Sequence, residues 1–174
     1  MSGEAKKRMK SVVCSGIVGL ALLAGCARAN LVNSNSVVED GIKYYLQTDK
    51  AVYDLGEDVE ILYRVTNLTE NPVDIGMVLN SYYAYVNLVI TQDGNIDIWE
   101  NCRVIPPSGY VMLTLDAYES KESQQIWNMT NDNGTLDRDD DYPVGPGSYN
   151  IMGELRLDGG YERVPLSVSI EIVP

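Results

Sequence analysis

The sequence predicts an all-β protein, an antiparallel β-sandwich of about eight or nine strands. Several segments alternate apolar and polar residues, which is the pattern of strands with one buried face. Turn residues separate these segments, as in Leu55-Gly56-Glu57-Asp58 and Gly145-Pro146-Gly147. No segment carries a sustained apolar stripe at helical spacing, and there is no internal repeat. We therefore expect two packed sheets in a single domain.

The strand pattern is clearest in residues 164–172, where every second residue from Val164 to Ile172 is apolar. Asp93-Gly94 separates two further segments and predicts a tight hairpin, because its primed turn requires positive φ. We expect Trp99 and Trp127 to pack between the sheets. The other segments with a strand pattern are 59–65, 73–79, 83–90, 96–99, 111–115 and 149–157.

The chain begins with a basic stretch, and an apolar run from Ser11 to Ala24 follows it. This is the layout of a secretory signal, and the run is shorter than the roughly 20 residues of a membrane-spanning helix. Leu23-Ala24-Gly25-Cys26 resembles the lipobox of prokaryotic lipoproteins. The resemblance implies cleavage before Cys26 and acylation of its thiol. A permanent N-terminal anchor helix is the alternative, which the polar sequence directly after Cys26 disfavours.

These features divide the chain into three parts. Residues 1–25 are expected to be a lipoprotein signal peptide, and residues 26–41 an acylated Cys26 followed by a flexible tether. The tether is expected because Ala27 to Gly41 is polar and small with no sustained period. Residues 42–174 are expected to form the β-sandwich domain.

Charge restricts the partners of the mature chain. Cleavage removes four basic residues and one acidic residue, which leaves 9 basic and 24 acidic residues and a net charge of −15. Nucleic-acid binding is excluded, since that affinity comes from lysine and arginine on phosphate. Anionic lipid head groups are disfavoured too, so membrane attachment is expected through the acyl group. An acidic surface attracts cationic partners.

The residue types argue against catalysis. The chain has no histidine, which removes Ser-His-Asp and Cys-His systems and histidine metal sites. There is no Gly-rich phosphate loop and no Cys-x-x-Cys pair. Two carboxylates could act as a glycosidase pair, but no pair stands out among so many acids. We expect a protein that is not an enzyme and has no cofactor, with Cys102 as a buried small hydrophobe.

The acidic stretch from Asn131 to Asp141 raises the question of calcium, which prefers dense oxygen ligands. Asp137, Asp139 and Asp141 alternate, but Tyr142-Pro143 follows where an EF-hand loop needs glycine. A long charged hairpin loop is the preferred interpretation, with calcium left open. Another open question is whether Tyr82, Tyr83 and Tyr85 form an exposed platform or fill the core.

The order of several motifs resembles the intracellular proteinase inhibitor (BsuPI-type) domain family over about Ile42 to Ile172. The motifs are Gly56-Glu57-Asp58-Val59, Asp93-Gly94 before Ile98-Trp99, and Pro146-Gly147-Ser148-Tyr149. The resemblance implies an immunoglobulin-like antiparallel β-sandwich and proteinase inhibition as a candidate activity. It assigns no inhibitory residue here.

Together these features predict an exported protein, lipid-anchored through Cys26 to the cell membrane or an outer membrane, with its domain outside the cytoplasm. The expected function is a protein-binding module, with a proteinase as one candidate partner. The alternative is a structural or accessory domain of the envelope or of an adhesin that binds glycan or calcium.

Overall fold

A computed structural model describes residues 31–79, 86–92, 96–100, 110–131, 142–155 and 165–174. These residues form thirteen strands and no helix. Within the same ranges there is thus no helix able to cross a membrane. The strands are β1 (Asn33–Glu39), β2 (Ile42–Thr48), β3 (Val52–Asp54), β4 (Val59–Asn67), β5 (Val73–Leu79), β6 (Val86–Gln92), β7 (Ile96–Glu100), β8 (Tyr110–Leu115), β9 (Ser120–Trp127), β10 (Thr130–Asn131), β11 (Tyr142–Pro143), β12 (Gly147–Leu155) and β13 (Leu166–Val173).

Two larger sheets form a sandwich, which confirms the predicted fold class. The first sheet has the order β1-β2-β4-β9, and the second has the order β3-β13-β12-β6-β7. Two further pairs are β5-β8 and β10-β11. All pairings are antiparallel except that of β3 with β13. The structure has more strands than the predicted eight or nine, partly because three of them are only two or three residues long, namely β3, β10 and β11.

The strand order is of immunoglobulin type. In that fold the F strand lies between C and G, and the B strand neighbours E in the other sheet. Here β12 lies between β6 and β13, and β4 lies beside β9. The hydroxyl of Tyr149, near the start of β12, donates to the carbonyl oxygen of Gly145 at 2.7 Å. This is the geometry of a tyrosine corner, which gives Pro146-Gly147-Ser148-Tyr149 a structural role.

The core lies between the inner faces of the two sheets. Trp127 and Tyr149 are buried there with ring centroids 5.6 Å apart and planes tilted by 56°. The indole N–H of Trp127 donates to the carbonyl oxygen of Thr130 at 2.8 Å, so the buried ring has a polar partner. Trp127 lies between the sheets as predicted, whereas Trp99 is partly buried and packs against the edge of this core.

The folded domain begins before Ile42, so the predicted tether is wrong from Asn33 onward. Residues Asn33–Glu39 form β1, which pairs with the whole of β2. Asp40 and Gly41 join the two strands with φ of 48° and 81°, as a two-residue type I′ turn requires.

Polar side chains explain why this strand resembled a tether. The side-chain amides of Asn33 and Asn35 donate to the carbonyl oxygens of Ser169 and Ser167 at 2.6 and 3.0 Å. Hydrogen bonds rather than apolar burial therefore hold β1 against β13.

Asn67 organises the turn between β4 and β5. Its buried side-chain amide donates to the carbonyl oxygens of Asn71 and Asp116 at 2.8 and 2.9 Å. Its side-chain oxygen accepts hydrogen bonds from the backbone N–H and hydroxyl of Thr69. These hydrogen bonds give Asn67-Leu68-Thr69 a structural role in the turn.

Gly153 allows β12 and β4 to approach closely in the core. A Cβ at this position would lie 2.7 Å from the ring of Tyr63. We expect Gly153→Ala to lower the free energy of unfolding by about 1–3 kcal/mol, because the core has no room to relax around Tyr63. Urea unfolding measures the effect.

Gly145→Ala is the matched control, since a Cβ there meets nothing within 4 Å and the carbonyl that Tyr149 needs is retained. Equal stability losses in the two variants would contradict the packing argument.

Candidate functional site

The outer face of the β1-β2-β4-β9 sheet carries the candidate site. Strand alternation turns Ile61, Tyr63 and Val65 into the core and therefore turns their neighbours on β4 outward. The registers align these outward residues in rows across the strands, such as Gln47 beside Leu62 and Leu62 beside Gln124. The next row pairs Glu60 with Ile126. One continuous surface thus combines residues that are far apart in the sequence.

A shallow groove of about 640 Å³ crosses three strands of this face. Its outward apolar residues are Leu62 on β4 and Ile126 on the edge strand β9, and Ile126 is 62% exposed. Polar residues lie beside them in the same rows, Gln124 beside Leu62 and Glu60 beside Ile126. Protein interfaces likewise combine apolar and polar groups. The lining residues are Gln47, Asp49, Glu60, Ile61, Leu62, Gln124, Gln125 and Ile126.

A cluster centred on Tyr45 borders the groove. The ring of Tyr45 lies 5.5 Å from Nζ of Lys43 and 5.7 Å from Cζ of Arg64, within cation–π range of both. Its hydroxyl donates to Oε1 of Gln47 at 2.6 Å. Arg64 Nε also donates to Oε1 of Glu122 at 2.6 Å. The cluster brings two cations of this acidic chain to the candidate face and orients Gln47 at the groove.

Asp49 lies at the groove and has a structural role, because it connects Tyr53 to the start of β4. Its Oδ1 accepts hydrogen bonds from the Tyr53 hydroxyl at 2.6 Å and from the Glu60 backbone N–H at 3.0 Å. The Tyr53 hydroxyl in turn accepts from the backbone N–H of Lys50 at 3.0 Å. Burial and the hydrogen bond to Asp49 raise the pKa of Tyr53 far above its usual value. The neutral phenol is therefore part of the folded state.

An ion pair between Lys50 and Glu57 lies beside this network. The hydrogen bond between them raises the pKa of Lys50 and lowers that of Glu57. Both side chains are partly exposed to solvent, so screening limits what the pair adds to stability. Its effect is to hold the loop that leads into β4.

Several residues singled out in the sequence lie outside the described ranges. They include the predicted lipidation residue Cys26, Cys102, the acidic residues Asp137–Asp141 and the tyrosines Tyr82, Tyr83 and Tyr85. Among the residues that are described, no group of three acidic or cysteine side chains could hold a metal ion.

Sequence patterns missed the groove, although they contained a signal for it. Leu62 is an apolar residue in the outward, polar register of β4, and Ile126 stands beside the buried Trp127. Outward apolar residues that lie next to one another can form part of an interaction surface, whereas single ones are common on any protein.

No family model matches the chain, and no curated protein matches it either. The resemblance to the BsuPI-type family thus stays a prediction.

Solved structures with some likeness are distant. A β-glucosidase, EmGH1, from Erythrobacter marinus is 14% identical with a TM-score of 0.44, over 82% of this chain and 15% of that protein. A β-glucosidase from Listeria innocua is 11% identical with a TM-score of 0.40, over 76% of this chain and 16% of that one. The C-terminal domain of wzt is 11% identical with a TM-score of 0.41, over 81% and 78% of the two chains. This chain thus spans about a sixth of either β-glucosidase.

Because the pKa of Tyr53 is raised, the free energy of unfolding should depend on pH in the alkaline range. A tyrosine in the unfolded chain ionises near pH 10, whereas the folded pKa of Tyr53 is raised. The stabilisation that Tyr53 gives to the folded state is therefore fully present below about pH 10. It is lost as the pH rises from there towards the pKa of Tyr53 in the folded state. We expect Tyr53→Phe to flatten the fall of the unfolding free energy above pH 10, as measured by urea unfolding across the pH range.

The control for this experiment is Tyr118→Phe, which removes a phenol that is 67% exposed. An identical alkaline slope in the wild-type chain and the Tyr53→Phe variant would show that the Asp49–Tyr53 network is unimportant.

Proposed function

We propose that this protein is a lipid-anchored, extracytoplasmic binding module that recognises another protein through the outer face of its β1-β2-β4-β9 sheet. The supporting observation is the groove across β2, β4 and β9, whose exposed apolar residues Leu62 and Ile126 lie among amides and carboxylates that suit a protein partner. Catalysis is not part of this proposal, because the chain has no histidine and no motif for a nucleophile or a bound phosphate.

The proposed anchor is Cys26, at the end of Leu23-Ala24-Gly25-Cys26. Because the folded domain begins at Asn33, only residues 27–32 separate it from the acylated residue. Seven residue steps reach at most about 25 Å when fully extended. Gln47, at the rim of the groove, lies opposite Ser34 near the first residue of β1. The partner is accordingly expected at or near the membrane surface.

Charge supports a cationic partner surface. The predicted mature chain carries 24 acidic and 9 basic residues, and Asp49 and Glu60 lie at the groove itself. Opposite charge on the partner would accelerate association, most strongly at low ionic strength. Inhibition of a proteinase is one form such binding can take, and it rests on the family resemblance alone.

Glycan binding by the same face is the second candidate function. Gln47, Gln124 and Glu60 offer amide and carboxylate groups that can hydrogen-bond sugar hydroxyls. A glycan array probed with the wild-type chain and the groove variant described below distinguishes this candidate from protein binding.

The anchor is tested by replacing the cysteine. In a bacterial host we expect Cys26→Ala to abolish both incorporation of labelled fatty acid and removal of residues 1–25, because the cysteine of the lipobox is the proposed site of acylation and of cleavage. Cys14→Ala is the matched control and should retain both properties, since Cys14 lies in the predicted signal peptide. A wild-type chain that takes up no fatty acid and retains residues 1–25 would favour the anchor helix instead.

The groove is tested with Ile126→Lys in the anchored chain. This exposed residue lies opposite Glu60, so lysine is tolerated by the sheet but replaces an exposed apolar side chain of the groove by a charge. We expect affinity for the protein partner to fall at least about tenfold, as for an apolar residue that contacts the partner. The partner is isolated by affinity capture from envelope extracts, and a panel of serine proteinases is assayed for inhibition.

Leu68→Lys is the matched control, because it adds the same charge at a residue that is 45% exposed in the turn after β4. The proposal fails if no protein is captured, or if Ile126→Lys and Leu68→Lys affect the captured protein equally.

A further inference from the structure

The outward edge of β1 is an open sheet edge. In the order β1-β2-β4-β9, β1 has a hydrogen-bonded neighbour on one side only among the described strands. Six of its seven residues are exposed and the first is partly exposed. Soluble proteins usually protect such edges with lysine, proline, a bulge or a short strand. NSNSVVE contains neither lysine nor proline, and its register with β2 is unbroken over all seven residues.

The hairpin defines which main-chain groups are open. The two-residue turn at Asp40 and Gly41 makes Glu39 and Ile42 a hydrogen-bonded pair. Main-chain groups alternate in direction along a strand, so Ser34, Ser36 and Val38 direct their N–H and C=O groups away from β2. Three donors and three acceptors therefore line the edge.

We propose that a second copy of this chain pairs with this edge, β1 against β1, antiparallel and with the twofold axis at Ser36. In that register Ser36 faces Ser36 of the second copy, and Ser34 faces Val38. All open groups on one chain then meet open groups on the other, which satisfies six hydrogen bonds.

Side chains are compatible with the same register. Glu39 would lie opposite Asn33, whose side-chain amide donates to the carbonyl oxygen of Ser169 in its own chain. Asn35 would lie opposite Val37, and no charge faces a like charge along the strand. A twofold pairing of this kind is closed, since one surface is used by both copies and no free edge of β1 is left to extend it.

The second copy is the occupant that these observations favour over a foreign peptide, because the complementarity is of the strand with itself. Anchoring in one membrane, which rests on the proposed acylation of Cys26, would raise the local concentration of copies. The pairing itself does not depend on the anchor.

Cysteine cross-linking in the full-length chain tests the register. Hydrogen-bonded antiparallel pairs have Cα atoms about 5.5 Å apart, which a disulfide can bridge. In a Cys102→Ala background we expect Ser36→Cys to give a disulfide-linked dimer on mild oxidation in membranes. Ser34→Cys should not, because the two copies of residue 34 would be about 14 Å apart. Ser34→Cys combined with Val38→Cys should cross-link again.

Ser148→Cys controls for random collision, since it is exposed on the central strand β12 of the other sheet. Cross-linking of Ser36→Cys no faster than Ser148→Cys would overturn the proposal, as would a cross-link from Ser36→Cys to a different protein.

The molar mass of the protein in solution tests the dimer independently of cross-linking. Light scattering on the detergent-solubilised chain should give a dimer whose dissociation constant rises about tenfold with Ser36→Lys, because like charges would then face each other at the axis. Ser148→Lys adds the same charge elsewhere and should leave the dimer intact. A monomer at all concentrations, or a dimer unaffected by Ser36→Lys, overturns the proposal.

Discussion

The contact between Trp127 and Tyr149 is the constraint on which the sandwich depends. Trp127 ends β9 in one sheet and Tyr149 lies near the start of β12 in the other, and their ring centroids are 5.6 Å apart in the core. Each ring also satisfies its polar atom at a nearby carbonyl oxygen, Trp127 at Thr130 in β10 and Tyr149 at Gly145 in the loop before β12. The same two side chains thereby join the sheets and position the loops at one end of the domain. Apolar burial alone would not select this arrangement, because it has no direction, whereas the two hydrogen bonds do.

β1 shows how polar residues can complete a sheet protein. The main-chain groups of β13 are used by β12 on one side, and on the other side β3 covers only Glu171–Val173. The amides of Asn33 and Asn35 then cover the carbonyls of Ser169 and Ser167, further along the same edge. The edge of β13 is thus closed by side chains, which avoids a further strand there. The strand left with an open edge is therefore β1, at the end of the neighbouring sheet.

Strands marked by apolar alternation and bounded by turn residues were predicted correctly from the sequence. Strands in which polar residues make the contacts with the rest of the domain were missed. Strands such as β4, β12 and β13 were recognised because every second residue is apolar and buried. The segment that forms β9 was missed because Ser123 occupies an inward, buried position and breaks the apolar row. β1 was missed because six of its seven residues are exposed and its contacts with β13 are made by Asn33 and Asn35, whose partners are distant in the sequence. The groove was missed for a related reason, since its rows join β2, β4 and β9 only through their registers.

The open edge and the groove belong to one surface. In the proposed dimer the twofold axis is perpendicular to the paired strands and to the sheet, so the outer faces of both copies lie on the same side. Five strand spacings separate one β4 from the other, or about 24 Å measured across the sheet. Ser34, Ser36 and Val38 lie between them and leave both grooves open. A partner that carries repeated binding segments, or is itself confined to a membrane, could then engage both sites at once. The second contact would form at a high effective concentration, so a shallow groove on one chain would suffice for tight attachment.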